Sequence, residues 1–323
     1  MMATSRCSLG FKDEQSLALT GCVRAATPDS ERSSAAGSEF LPSFFVIGPP
    51  RTGTSWVHEI LRGRTALPEA TKETRFFDTH FHRGMKWYRA HFPHLATEQR
   101  VGEIAPTYFA STLARERIAR TVPHARIICI FRNPVDRVLS LYRVKRAYGM
   151  IPWKFEQALI HDPELMESSR YATHLRDWLR IFGGHNVHVG FYEDLRDRSQ
   201  VFVDELADFI GLPRFALTAS QVRRIHTSES MTHPRSYYRT RGATLIAEWC
   251  KAQRLHTVVA AVKRSPLLRL FLGGGAPFSD LPLGAVQNLY ELFRPEMEEL
   301  EVLLSRDLTP WKFHESQIAA VAD

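Results

Sequence analysis

Residues 44–61, FFVIGPPRTGTSWVHEIL, decide how this chain is read. A short apolar run, Phe44 to Ile47, is broken by Gly48 and two prolines, as a buried strand feeding a turn would be. Trp56, Val57, Ile60 and Leu61 then recur at helical spacing. The stretch therefore predicts strand, loop, helix. Gly48 and Gly53 have the spacing of a triphosphate-binding loop, G-x-x-x-x-G-K-[ST], and Ser55 fits its last position. Thr54 occupies the lysine slot, and the nearest cation is Arg51. A glycine-rich turn before a helix aims backbone N–H groups and the positive dipole end at an anion. Arg51, Thr54 and Ser55 add side-chain donors. Without the lysine, a magnesium-bound triphosphate is disfavoured, because lysine and metal together neutralise its terminal phosphates.

Strand and helix signals alternate downstream. Helices are predicted in LARERIARTVP, VDRVLSLYRVKRAYG, SSRYATHLRDWLRIFG and SQVFVDELADFIGL, and strands in ARIICIFRNP and VHVGFYEDL. The pattern predicts an α/β, P-loop-like three-layer fold with a central parallel sheet of about five strands flanked by helices. VQNLYELFRPEMEELEVLL is a last amphipathic helix, expected to break at Pro295. Residues 1–40, rich in Ser, Ala, Thr and Glu, read as a flexible leader, and 41–323 as one domain. HPRSYYRTRG reads as a basic, aromatic loop.

Of 323 residues, 44% are apolar, which excludes wholesale disorder; the formal charge of +7 favours anionic partners. The four cysteines form no C-x-x-C pair and show no zinc spacing, so no metal site is expected and a reducing, cytoplasmic setting is the simpler reading. No signal peptide is evident, and no apolar run approaches the ~18 residues of a spanning helix. The Tyr/Arg mixture near residue 238 is too short a track for single-stranded nucleic acid, so no nucleic-acid partner is expected.

Arg132 stands at a strand end, with Ser140 eight residues on in the following helix. Arginine and hydroxyl on one βα unit can grip a phosphate; read alone, Arg132 suits a surface pair with Asp136 better. Combined with the first loop, two phosphate sites on neighbouring βα units point to a nucleotide carrying phosphates at both ends.

These motifs, GPPRTGTSWVHEIL and RIICIFRNPVDRVLSLY, resemble the sulfotransferases that use 3′-phosphoadenosine-5′-phosphosulfate (PAPS) and release 3′,5′-adenosine bisphosphate (PAP). KETRFFDTHFHRGMKWYRAHFP, GEIAPTYFAS and RYATHLRDWLRIFG resemble the heparan sulfate N- and 3-O-sulfotransferase branch, the Golgi carbohydrate type. The resemblance implies sulfo transfer to a hydroxyl-bearing acceptor, such as a glycan, glycolipid or small natural product, with no metal required. It implies a phosphosulfate site at Arg51, Thr52, Gly53, Thr54, Ser55 and Trp56, and a 3′-phosphate site at Arg132 and Ser140. Glu73 matches the branch's catalytic glutamate and Lys72 its neighbour, with Arg51 stabilising charge. The adjacent pair would point to opposite sides of a regular strand, so both roles require irregular backbone. Glu103 matches an acidic position near the acceptor, although Ile104 follows where many members carry lysine. Tyr237–Gly242 resembles a late basic loop, implying Arg239, Arg241 and Gly242 over the nucleotide. His58, His91 and His94 read as structural or surface residues. Residues 250–283 are expected to cap the acceptor cleft, their mixed apolar and basic character suiting an amphipathic acceptor; a packing helix broken at Pro266 reads equally well. A nucleotide kinase and a catalytically silent binding module are the rival readings.

Overall fold

The computed structural model describes residues 41–69, 71–92, 100–223, 234, 236–252, 278 and 283–313. Among them, four strands form one parallel sheet: β1 (Phe44–Gly48), β2 (Gly102–Ile104), β3 (Arg126–Phe131) and β4 (Val187–Phe191), in the order β2-β1-β3-β4. The main helices are α1 (Thr54–Leu61), α2 (Thr112–Thr121), α3 (Pro134–Ala147), α4 (Tyr171–Phe182), α5 (Ser199–Ile210), α6 (Tyr237–Ala252) and α7 (Leu283–Leu304).

The strands are apolar throughout because both faces of the sheet are covered. Alternation assigns each side chain to a face. Phe45, Ile47, Ile127, Cys129 and Phe131 meet α4 and the aromatic segment at Phe76 and Phe77. Phe44, Val46, Ile128 and Ile130 meet α1 and α5 through Val57, Ile60, Phe202, Val203 and Leu206. Each fully buried side chain of this size stabilises the fold by roughly 1.5–3 kcal/mol. Cys129 is a free thiol in this core, and burial pushes its pKa up.

The chain runs from β1 to β2 on one side and then to β3 on the other. The β1/β3 boundary is therefore the point where strand order reverses, where open α/β sheets bind ligands beyond the strands' C-terminal ends. The loop after β1 and Arg132 after β3 both emerge there.

Two expectations change. Pro295 does not break the last helix, which runs through it from Leu283 to Leu304. Leu289, Phe293, Met297 and Leu300 form a buried stripe across the proline, and Pro295 itself faces outward, so packing carries the helix past the missing N–H. Tyr237–Gly242 is the first part of α6, not a loop. Ala243, Leu245 and Ala247, all good helix formers, follow it, and its Thr240 is buried. Residues 1–40 lie outside the described residues, as do 253–277 and 279–282 of the expected cap.

Candidate active site

The loop from Pro49 to Gly53 is shaped by glycine. Gly48 has φ +98°, and a Cβ there would lie 2.7 Å from Pro106 Cα. Gly53, at φ +92°, is the residue before α1, and a Cβ would meet Leu195 at 2.9 Å. Arg51 also has positive φ (76°), a conformation an L-residue holds only when its surroundings impose it. Thr52 Oγ1 donates to Pro49 O at 2.8 Å and closes the loop. No side chain caps α1. Its leading N–H groups are thus left to an incoming anion.

Arg51 reaches across to α3, where its Nε donates to Ser140 Oγ at 3.0 Å. Helix α3 is firmly begun: Asn133 Oδ1 accepts from Val135 N (3.0 Å) and Asp136 N (3.3 Å), and Pro134 preorganises the first turn. Arg132 is only loosely held by Asp136, at 3.7 Å, and its guanidinium lies 4.7 Å from the Tyr192 ring centroid. Tyr171 fixes the backbone there by donating to Arg132 O at 2.9 Å. Burial, then the nearby Arg132, pull Arg51 below the usual arginine pKa. Two neighbouring cations and a hydroxyl at a sheet's switch point make a site that gains by taking up an anion.

The second half of the site meets the first turn of α1 at Ser55. Lys72 Nζ donates to Ser55 Oγ at 3.0 Å and to Glu73 Oε1 at 3.2 Å. Lys72 and Glu73 are both 30% exposed, so their heads are accessible. The backbone here is irregular: Arg75 adopts a left-handed φ of 52°, and a π-helical turn, Phe76–His80, follows. Beside Lys72 and Glu73 lies a cavity of about 610 Å³ whose walls include His58, Arg62, Thr65, Leu67, Lys72 and Phe92. Burial, then Lys72 and Arg62, lower His58 to a pKa of about 4, so it is neutral at physiological pH. Its Nε2 is buried and finds no hydrogen-bond partner among the described residues.

Several expected site residues sit differently. Thr52 is fully buried with its hydroxyl engaged, so it can serve an anion only through its backbone. The Trp56 indole is core: it packs near Phe202 and donates from Nε1 to Gln221 O at 2.8 Å, because helical spacing turns it inward with Val57 and Ile60. Thr54 is buried at the start of α1, and Ser55 is exposed. Glu103 is fully buried in β2, with both carboxylate oxygens taken by internal donors, and so does not line an acceptor site. Arg239, Arg241 and Gly242 lie on α6, whose start packs on the end of α3: a Cβ on Gly149 would lie 2.8 Å from Arg241 N. His91 is structural, with Nδ1 against Trp87 O and Tyr88 O at 3.0 and 3.2 Å; His94 lies outside the described residues. Sequence reasoning missed Tyr192, which packs against both Gly53 and Arg132. Its signal was an aromatic residue directly after the strand run VHVGF, at a sheet's C-terminal edge.

The family described as "Sulfotransferase domain" matches residues 41–257, the whole span that carries these groups. The chain belongs to the sulfotransferase domain family. This sulfotransferase domain is 29% identical over 198 residues to bovine bifunctional heparan sulfate N-deacetylase/N-sulfotransferase 2, an alignment covering 54% of this chain and 22% of that protein. It is 30% identical over 199 residues to the human bifunctional heparan sulfate N-deacetylase/N-sulfotransferase 3, covering 54% and 23%. The match thus spans about a fifth of the length of these curated relatives. Among solved structures, the sulfotransferase from Alicyclobacillus acidocaldarius shares the fold, with a TM-score of 0.59 at 21% identity, covering 85% of this chain and 100% of that one.

Proposed function

We propose that this sulfotransferase domain transfers the sulfo group of PAPS to a hydroxyl or amine of a carbohydrate acceptor. The observation that carries the reading is Ser55. It sits at the start of the uncapped α1, beside the Arg51 loop, and its hydroxyl accepts from Lys72, which also holds Glu73. The anion loop and a carboxylate–ammonium pair thereby share one location.

The donor set fits PAPS: free amides of α1 with Arg51 for the 5′ group, and Arg132 with Ser140 for a second phosphate. PAPS, when bound, supplies a sulfo group on a phosphate leaving group. Glu73 takes the proton from the acceptor O–H or N–H as that atom bonds to sulfur. The S–O bond to the 5′-phosphate breaks in line, and PAP departs. Lys72 and Arg51 stabilise the charge that gathers on the departing oxygen.

The cavity beside Lys72, with Arg62 on its wall, supports a polar acceptor carrying negative charge. The heparan sulfate in the relatives' names supports a glycan. Incubation with sulfur-35 PAPS and N-desulfated heparan oligosaccharides tests this. Label in the oligosaccharide, lost on Glu73→Gln, is the expected result. Release of PAP without labelled product, at the same rate for both proteins, would contradict it.

A further inference from the structure

We propose that Glu103 is a positioning residue that fixes the Lys72–Glu73 pair from inside the core. The inference rests on the sulfotransferase reading for its chemistry, and on hydrogen-bond geometry for its structure.

Glu103 lies in β2, paired with Phe45 of β1, and is fully buried. A buried carboxyl without partners is costly, yet this one has four donors. Oε1 accepts from Thr74 Oγ1 at 2.5 Å, Thr74 N at 3.2 Å and Tyr108 OH at 3.1 Å, and Oε2 accepts from Tyr88 OH at 2.7 Å. These bonds converge on the segment carrying the pair. Thr74 follows Glu73 directly, and its Oγ1 also accepts from Phe76 N at 3.1 Å. Tyr108 OH accepts from Phe77 N at 3.2 Å. On the other side, Thr71 Oγ1 donates to Glu73 O at 3.1 Å. Lys72 and Glu73 therefore project from backbone tied down before and after them.

The tie has something to hold. Arg75 sits in the left-handed region, which a non-glycine residue occupies only when its surroundings over-determine it. Released, residues 74–77 would relax toward ordinary backbone and carry Glu73 with them. No acceptor reaches Glu103, so its influence on the reaction runs through Thr74.

Three variants test this: Glu103→Leu, which removes the acceptors; Thr74→Val, which removes one link and leaves Glu103 bonded to both tyrosines; and Glu103→Gln, which keeps an acceptor for Thr74 and a donor for Tyr88. Three readouts are needed: calorimetry with PAP, turnover with PAPS and N-desulfated heparan oligosaccharides, and amide hydrogen exchange. For Glu103→Leu and Thr74→Val we expect unchanged PAP affinity and KM, a kcat lower by about 100-fold, as displaced catalytic groups show, and faster exchange confined to residues 74–77. Glu103→Gln recovers most of the turnover. Wild-type kcat in Thr74→Val overturns the proposal. So does exchange accelerated across the whole sheet with PAP binding lost, the mark of a merely structural residue. Should the wild-type protein transfer no sulfo group while Thr74→Val still loosens residues 74–77 alone, the anchoring stands and the sulfotransferase reading fails.

Discussion

Arg51 Nε donates to Ser140 Oγ at 3.0 Å, joining two residues 89 positions apart in sequence. The bond ties the loop after β1 to α3 at the sheet's switch point, and it places both expected anion sites within reach of one guanidinium. Removing a charged hydrogen-bonding group costs more than removing a neutral one. Arg51→Ala should therefore weaken PAP binding by about 2 kcal/mol, or about 30-fold. Ser140→Ala should cost about 1 kcal/mol. Calorimetry with PAP measures both; equal losses would argue against Arg51 as the chief contact.

In the proposed reaction Glu73 takes the acceptor's proton and Lys72 stabilises charge. Glu73→Gln should lower kcat by about 10²- to 10⁴-fold, the contribution typical of a general base. PAP affinity should not move, since Glu73 meets the anion loop only through Lys72 and Ser55. Single-turnover rates alongside calorimetry separate the two effects. A Glu73→Gln protein that turned over normally would remove it from the mechanism.

Glu103 makes stability depend on pH. Burial raises its pKa from 4.5 to about 7, despite the bonds from Thr74, Tyr88 and Tyr108 that favour the ionised form. The folded state thus keeps a proton that the unfolded chain releases between those values. Stability from this group is present at low pH and is lost as pH rises toward 7, by about 3 kcal/mol in all. Denaturant unfolding at pH 5 and pH 8 should show wild type losing stability relative to Glu103→Gln. Parallel behaviour of the two proteins would contradict the shift.

Gly48 is required by geometry. With φ +98° and Pro106 Cα 2.7 Å from where a Cβ would stand, the obstacle is backbone and cannot swing aside. Gly48→Ala should cost about 2 kcal/mol, read as a lower midpoint in denaturant. An unchanged midpoint would mean that the loop after β1 repacks freely.

Much of this was legible in the sequence. The strands FFVIG and RIICIF are apolar enough, and the helices after them periodic enough, for the βα order to be read directly. The two phosphate motifs follow from that order, since Arg51 and Arg132 each follow a strand. Other features depend on contacts that local sequence does not encode. Strand β2 has three residues, too few to show alternation. The segment following Lys72 and Glu73 passes through a left-handed arginine and a π turn, with Thr74 bonded to Glu103 and Phe77 N to Tyr108, both partners distant in sequence. Glu103 looks like an accessible acid in GEIAP because nothing nearby announces that Tyr88 will cover it. Trp56 likewise looks available beside the loop, until helical spacing turns it into the core.

The loop and its two arginines should accept a nucleotide phosphorylated at both the 3′ and 5′ ends. Calorimetric titration with PAP, set against ATP with magnesium, tests it most directly. PAP should bind, Arg132→Ala and Arg51→Ala should each weaken it, and ATP with magnesium should bind far more weakly. Tight ATP binding with no heat from PAP would contradict it.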